Sequence, residues 1–401
     1  MRVAVIGAGA AGTMAALFAA EQGAETTLLE RTEDGGRKIL IAGGGRCNIL
    51  PARLDETRFL TDSSPHTMRN IIRSWPLPEQ IAFFERELGQ RLVEEPETAK
   101  LFPASNKARD VRDGLIEAAR RRGARTHFGM LVRDAVRRDG FWRVIVADGE
   151  PHVVDRVIIA AGGLSVPSTG SEGFGLRLAR SLGHEVRETY PALTPLTAQP
   201  HPFATLAGIS LDATVTARSP DRQAVASGGF LFTHRGYSGP AVLDVSHVVA
   251  RATPESSARV TVQWSLSEQA WDAVLRGDGS STVLRALREH LPERLASALS
   301  EKAGTAPDTT LSQLRRERRL ALIEQLARCD LGVTGHEGYR KAEVTGGGVS
   351  LGEINPKTME SRRCPGLFFC GEVLDAFGPI GGYNFLWAWV TGRAAGMAAA
   401  A

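Results

Sequence analysis

The chain opens on a short apolar run, Val3 to Ile6, which Gly7 interrupts before helix-spaced apolar residues extend from Ala10 to Gln22. Four apolar residues ending in glycine read as a buried strand, and the 3.6-residue spacing after them as a helix. Gly23 stops that helix and Thr26 to Glu30 supplies a second strand, so the first fifty residues predict a βαβ unit. A glycine-rich loop is expected from Gly35 to Asn48. Two helices between Thr61 and Gly89 are divided by Pro76 and Pro78, and another runs from Asp110 to Arg122. Extended segments near Thr126 to Val136 and Trp142 to Ala147 precede strand Val157 to Ala160, which ends in Gly162-Gly163.

The pattern changes after Pro191, Pro195, Pro200 and Pro202, the strongest boundary signal in the chain. Leu211, Ala213 and Val215 alternate with polar neighbours, as do Val260, Val262 and Trp264, which suits half-buried antiparallel strands. From Leu266 to Leu331 the spacing is helical. Leu284, Leu287, Leu291, Leu295 and Leu299 form one apolar stripe and Leu320, Leu322, Ile323 and Leu326 a second, both read as core. The last sixty residues return to glycine turns after apolar strands: Gly346 to Gly348, strand Leu367 to Cys370, Gly371-Glu372, Gly381-Gly382, then an apolar helix from Phe385 to Ala398. The pattern predicts an α/β, Rossmann-like nucleotide-binding domain in two pieces, 1–190 and 342–401, interrupted by an inserted domain at 191–341.

Length and charge narrow this picture modestly. At 401 residues the chain exceeds the ~250–300 at which single cores stop growing. A balance of 48 basic against 45 acidic residues, net +3, calls for no nucleic acid partner. Cys47, Cys329, Cys364 and Cys370 form no CxxC pair, so neither a zinc site nor a disulfide framework is expected. No apolar stretch reaches the ~20 residues a bilayer requires, and a cytoplasmic location is expected. The sequence carries no signal for an oligomeric state. The 43 glycines are the unusual count, and they gather at the ends of predicted strands.

Gly7, Gly9 and Gly12 make G-x-G-x-x-G directly between a strand and a helix, with Glu30 eighteen residues beyond at the end of the second strand. In that context the first glycine permits a tight turn, the second lets backbone approach a pyrophosphate, and the third lets helix and strand pack closely. Ala10 and Ala11 then open the helix whose amides face the phosphates, and Glu30 is placed to accept from ribose hydroxyls, with Arg31 and Val132 as further candidate contacts. After Glu30 the chain offers Arg37 and Lys38 as pyrophosphate cations, then Gly43, Gly44, Gly45, Arg46, Cys47 and Asn48. A second glycine-rich segment favours the longer FAD over NAD. A covalent bond from Cys47 to the flavin is conceivable, but a small buried side chain is the simpler reading. Ala161 and Gly162 end a further strand, Glu372 after Gly371 is placed for the ribityl chain, and Gly381, Gly382, Tyr383 and Asn384 cap the last helix. A helix N-terminus at the flavin N1 and C2 carbonyl would stabilise the reduced ring.

The motifs GAGAAG (Gly7 to Gly12), GRKILIAGGGRCN (Gly36 to Asn48), FTHRGYSGP (Phe232 to Pro240), VTGGGVSLGEINPKTMES (Val344 to Ser361) and LFFCGEVLDAFGPIGGYN (Leu367 to Asn384) occur in order along the chain. This set resembles the BaiN-like (YhiN-type) flavoproteins, also labelled aminoacetone oxidase family FAD-binding enzymes. The resemblance implies a split FAD-binding domain of the two-dinucleotide-binding type, an inserted β-barrel with a helical unit, and a flavin oxidoreductase activity. Relatives are similar to enzymes acting on small amines or on unsaturated ketone steroids. Ala42 stands where relatives mostly have Ser, Ile380 where they have Thr, and Phe385-Leu386 where Leu-Gln is usual, so the substrate does not carry over.

The expected activity is hydride transfer between a small organic substrate and flavin N5, with NAD(P)H a candidate transient donor. Tyr383 and His234 are candidate proton donors, although a lone Tyr or His more often serves a hydrogen-bond network. No metal-ligand cluster stands out. Two alternatives remain: an NAD-dependent dehydrogenase using the first motif alone, and a non-catalytic flavin-binding module that partners an RNA-modification activity.

Overall fold

A computed structural model describes residues 1–253, 257–277 and 279–401. Asp278, inside the stretch expected to be helical, lies outside the described residues. The chain divides into two compact units, one built from Met1–Tyr190 and Glu343–Ala401, the other from Pro191–Ala342.

The first unit is centred on five parallel strands in the order Leu367–Phe369, Arg156–Ile159, β1 (Arg2–Ile6), β2 (Glu25–Leu29) and Arg125–His127. Parallel strands are covered on both faces, which is why these segments read as continuous apolar runs rather than alternating ones. Val3, Ala4, Val5, Ile158, Ile159, Leu367 and Phe369 are fully buried. Helix α1 (Ala10–Glu21) follows β1 and packs along the C-terminal helix Tyr383–Ala400. Glycine makes that packing close: a Cβ on Gly392 would overlap Ala11 O, and one on Gly396 would overlap Ala15 O. The two glycines lie four residues apart, on one face of the C-terminal helix, against two alanine positions four apart on α1.

The segment expected as one long glycine-rich loop contains a short helix, α2 (Arg37–Ile41), and a tight turn at Ala42–Gly45. Gly36 at φ +61° starts the helix, Ile39 is buried, and left-handed backbone at Gly43, Gly44 and Gly45 prevents its continuation. Between Thr61 and Gly89 the helices are Pro65–Arg73 and Leu77–Ala82, followed by a wide turn at Phe83–Glu87. Small antiparallel sheets complete the unit, Leu50–Pro51 with Lys100–Pro103 and Leu92–Glu95, and Val132–Arg138 with Phe141–Val146 and His152–Val154.

The second unit carries a seven-stranded antiparallel sheet, ordered Cys329–Asp330, Arg259–Trp264, Ser210–Arg218, Gln223–Phe232, Gly236–Ser238, Leu196–Thr197 and Gly335–His336. Its end strands are not paired with each other among the described residues, yet they are consecutive in the chain. The connection spans both edges: Leu331 N donates to Val260 O at 3.1 Å and Thr334 N to Thr197 O at 2.8 Å. The expected barrel is thus closed by a chain connection rather than a strand ladder. Phe230, Phe232, Tyr237 and Trp264 fill its interior with ring contacts of 4.9–6.0 Å. The first predicted stripe is core at Leu287, Leu291, Leu295 and Leu299, and the second at Leu322, Ile323 and Leu326. Leu320 is a correction, being 53% exposed. At ~100° per residue it projects roughly 110° from the centre of the buried trio.

Candidate dinucleotide-binding site

The three glycines of the first motif have different reasons to be glycine. Gly7 has φ +103° and a Cβ there would lie 2.6 Å from Ala160 O; a Cβ on Gly12 would overlap Gly7 O. Both are demanded by the packing of β1, α1 and strand Arg156–Ile159. Gly9 is demanded by neither packing nor backbone, since it is extended at φ −77°, ψ −170° and a Cβ there would meet nothing within 4 Å. What its missing side chain leaves is open room at the start of α1. No side chain caps that helix and no acidic residue lies in its first turn. Its first amides, at Ala10 and Ala11, therefore keep an uncompensated positive end, the environment a pyrophosphate requires. The residues present fit a dinucleotide.

Glu30 is buried beside this turn. One carboxylate oxygen accepts from Ala8 N at 2.7 Å, and the other from Thr32 N and Thr32 Oγ1, both at 2.8 Å. The protein thus fixes its orientation before any ribose hydroxyl is considered. Arg31 is ion-paired with Glu172, Arg37 pairs with Asp34 at 2.7 Å, and Val132 is buried at the start of its strand. Ala161 and Gly162 follow strand Arg156–Ile159, with Gly162 at φ +71° and Ser171 directly above it.

Lys38, Glu372, Ser165 and Thr345 converge although they come from four separate segments. Lys38 Nζ lies 2.5 Å from Glu372 Oε2 and 2.7 Å from Ser165 Oγ. Glu372 Oε1 accepts from Ser165 Oγ, from Thr345 N at 3.0 Å and from Thr345 Oγ1 at 2.9 Å. Thr345 Oγ1 in turn accepts from Leu164 N and Ser165 N at 2.7 and 3.1 Å. Ser165 and Thr345 were not singled out in the sequence; the signal available was their position beside Gly162-Gly163 and Gly346 to Gly348.

The C-terminal glycine turn is closed by its own asparagine. Asn384 Nδ2 donates to Gly378 O and its Oδ1 accepts from Gly378 N, both at 2.9 Å. Gly381 and Gly382 have φ of +120° and +89°. With its amide oriented to satisfy both groups, Asn48 accepts from Gly382 N at 2.9 Å and donates to Leu50 O at 3.2 Å, joining the two glycine-rich segments. Gly44 faces open space like Gly9, and Gly45 has only Leu40 O nearby, at 3.9 Å. Arg46 is held by Glu95 at 2.9 Å and stacks over Phe102. Cys47 is fully buried and desolvation pushes its thiol up to about 12, a neutral group with no nucleophilic character near pH 7. Gly371, at φ +77°, is anchored by Thr391 Oγ1 on its amide and by Trp387 on its carbonyl.

The two candidate proton donors have different settings, Tyr383 tied into the fold and His234 on an exposed turn. Tyr383 is 5% exposed, and its hydroxyl spans Arg53 O and Asp55 N, each at 3.4 Å. That geometry ties residues 53–55 to the C-terminal helix. His234 sits exposed on the turn between strands Gln223–Phe232 and Gly236–Ser238. Its neighbour Tyr237 is wholly buried and donates to Leu331 O at 2.6 Å, a structural bond.

A family model described as "HI0933-like protein Rossmann domain" matches residues 1–398. The chain belongs to this family. The chain is an FAD-dependent oxidoreductase, and the match bears out the resemblance to BaiN-like flavoproteins. Relatives include a 3-dehydro-bile acid delta(4,6)-reductase of Clostridium scindens, 35% identical over 100% of this chain and 99% of that protein. A ribosomal RNA dihydrouridine synthase of Escherichia coli is 33% identical over 96% and 94%. Among solved structures, a 3-ketosteroid delta1-dehydrogenase from Sterolibacterium denitrificans aligns with TM-score 0.55 at 11% identity, covering 99% of both chains. A flavocytochrome c3 fumarate reductase aligns with TM-score 0.52 at 17% identity, covering 100% of this chain and 78% of that one. Those two likenesses establish the fold. Among the described residues no helix is long and apolar enough to cross a membrane.

Proposed function

We propose that this FAD-dependent oxidoreductase reduces a carbon–carbon double bond conjugated with a carbonyl in a small organic molecule. The observation that carries the cofactor half is Gly9, whose absent side chain leaves open room at an uncapped helix start. The substrate half is supported by the relatives' names: a 3-dehydro bile acid with double bonds at positions 4 and 6 is a conjugated ketone, and uridine carries a C5–C6 bond conjugated with a carbonyl. Bound FAD supplies a two-electron carrier able to pass hydride at N5. The protein's own part is to bind and orient: α1 amides and Gly9 for the pyrophosphate, Glu30 for the ribose, Gly44 and Gly45 for close backbone approach, and the Gly378–Gly382 turn with the positive start of the C-terminal helix for the ring. Hydride chemistry needs no protein nucleophile, consistent with the neutral, buried Cys47. NAD(P)H is the proposed electron donor, and four free cysteines suit a reducing, cytoplasmic setting.

A second reading takes uridine in RNA as the conjugated substrate, favoured by the Escherichia coli relative and by a Haemophilus influenzae protein of the same name at 32% identity. One experiment separates these. The native protein is purified, its flavin identified, and the flavin reduced anaerobically with NADH and NADPH in parallel. Reoxidation is then followed with a cyclic enone and with unmodified ribosomal RNA. Reoxidation by the enone supports the first reading and by RNA alone the second; a protein that neither holds nor takes up FAD defeats both.

A further inference from the structure

One face of strand Lys100–Pro103 lies against both later glycine turns. Phe102 is buried beside the first, where a Cβ on Gly43 would come within 3.1 Å of Phe102 Cε1. Lys100, two residues earlier and so on the same face of the strand, lies beside the second. The nearest atoms to a Cβ built on Gly381 are Lys100 Cε at 3.8 Å, Lys100 Cγ at 4.0 Å and Tyr383 Cδ2 at 4.0 Å. Backbone contacts fix the strand there: Pro51 pairs with Lys100, a Cβ on Gly382 would overlap Leu50 C, and Asn48 accepts from Gly382 N at 2.9 Å.

The two cations of this region are not equivalent. Arg46 stands over Phe102, and its charge is matched by Glu95 at 2.9 Å. Glu95 is also the residue opposite Lys100 on the neighbouring strand, yet its carboxylate is taken, Oε1 by Arg46 and Oε2 by Thr98 Oγ1 at 2.5 Å. Lys100 Nζ, one bond beyond Cε, keeps three undirected N–H groups: among the described residues no hydrogen bond or ion pair engages it. The residue is half-buried. An ammonium in that setting loses hydration that a negative partner restores.

The second glycine turn opens helix Tyr383–Ala400, which has no side-chain cap and no acidic residue in its first turn. That turn is the one proposed above to seat the flavin ring, whose reduced form is an anion. Resting on that FAD reading, we infer that Lys100 is the cation that tunes the flavin: its ammonium meets the ring beside Gly381 and favours the reduced, negatively charged state. The helix start supplies a partial positive charge and Lys100 a full one. The lysine thereby sets how readily the cofactor takes up the electrons it passes to a conjugated carbonyl compound.

The reduction potential of the FAD-loaded protein is the readout, since a merely structural role would not sort variants by charge. It is measured by anaerobic dye-coupled titration, with FAD added to saturation, in wild type, Lys100→Met, Lys100→Gln and Lys100→Arg. Both neutral variants should favour the reduced ring at least tenfold less, a potential more negative by at least ~30 mV for a two-electron couple. Lys100→Arg should stay within roughly threefold of wild type, ~15 mV. Neutral variants with the wild-type potential would overturn the assignment, as would an equal fall in Lys100→Arg. If Lys100→Met does not fold, Lys100→Gln still decides, because it too removes the charge and keeps a polar end. A wild-type protein that takes up no FAD refutes the flavin reading itself, a distinct failure.

Discussion

Replacing Gly9 with alanine should abolish tight FAD binding while leaving the fold intact. The added Cβ meets no protein atom within 4 Å and the backbone at φ −77°, ψ −170° accepts an L-residue without strain. Alanine is a poorer N-cap than glycine by some tenths of a kcal/mol, whereas restricting the unfolded chain returns ~0.4–1 kcal/mol, so stability should change by less than about 1 kcal/mol. In a chain of this size that is a Tm shift of at most ~2–4 °C. Binding is different, because a methyl group at the start of α1 holds phosphate oxygens away from the amides. Losing one or two charge-assisted hydrogen bonds at ~1.5–3 kcal/mol each lowers affinity by at least about tenfold and up to roughly 20,000-fold. Gly12→Ala gives the opposite profile: its Cβ overlaps Gly7 O, and the overpacking costs ~1–3 kcal/mol or more of stability. Thermal unfolding of the apoprotein and quenching of flavin fluorescence on titration read the two effects separately. Unimpaired FAD binding by Gly9→Ala would refute the reasoning that this glycine is kept for a ligand.

Three further outcomes follow from packing and burial. Gly396→Ala should lower the Tm by several °C through the clash with Ala15 O, about 1–3 kcal/mol, and an unchanged melting curve would contradict the close α1 contact. Cys47, raised to about 12 by burial, should resist iodoacetamide in the native protein at pH 8, and all flavin should be released by acid precipitation; flavin retained on the precipitated chain would contradict this. His184 is buried with Nδ1 at 3.1 Å from Ala179 O and Nε2 at 2.7 Å from Ser361 Oγ, so the carbonyl takes the ring's one proton and the serine hydroxyl donates to the other nitrogen. Desolvation depresses its pKa. Its contribution to stability is then complete above the unfolded value of ~6.5 and is lost as pH falls through the lower folded value. The urea midpoint should fall between pH 7.5 and 5 in wild type and less so in His184→Asn; equal slopes would show that another group is responsible.

What the sequence could show was what neighbouring residues decide among themselves. Gly7, Gly9 and Gly12 are legible because turn, helix start and strand end lie within ten residues, and Val260, Val262 and Trp264 because pleating alternates their exposure. The role of each glycine was not, since the atoms that exclude a Cβ at Gly7 belong to Ala160 and those against Gly392 belong to Ala11. The clasp of Lys38 by Glu372 joins residues 334 positions apart and has no local signature. The same distance in sequence hid buried Asp375, which accepts from Thr61 Oγ1, Asp62 N and Ser63 Oγ and so fixes the chain ahead of helix Pro65–Arg73. Helix α2 was missed because five residues between glycines carry too little periodicity to outweigh their flanks. Leu320 was misplaced because a heptad-like count of leucines does not reveal which edge of the stripe the neighbouring elements cover.

The central claim is that Gly9, the α1 amides and the two later glycine turns together hold one non-covalent FAD that reduces a conjugated double bond. Anaerobic single-turnover spectroscopy of the natively purified protein tests it most directly: the bound flavin is reduced, mixed with a cyclic enone, and its absorbance followed. The account predicts equimolar FAD, bleached on reduction and restored by the enone with saturated ketone formed in equal amount. A colourless protein that gains no flavin from added FAD, or a reduced flavin that no conjugated carbonyl compound reoxidises, would contradict it.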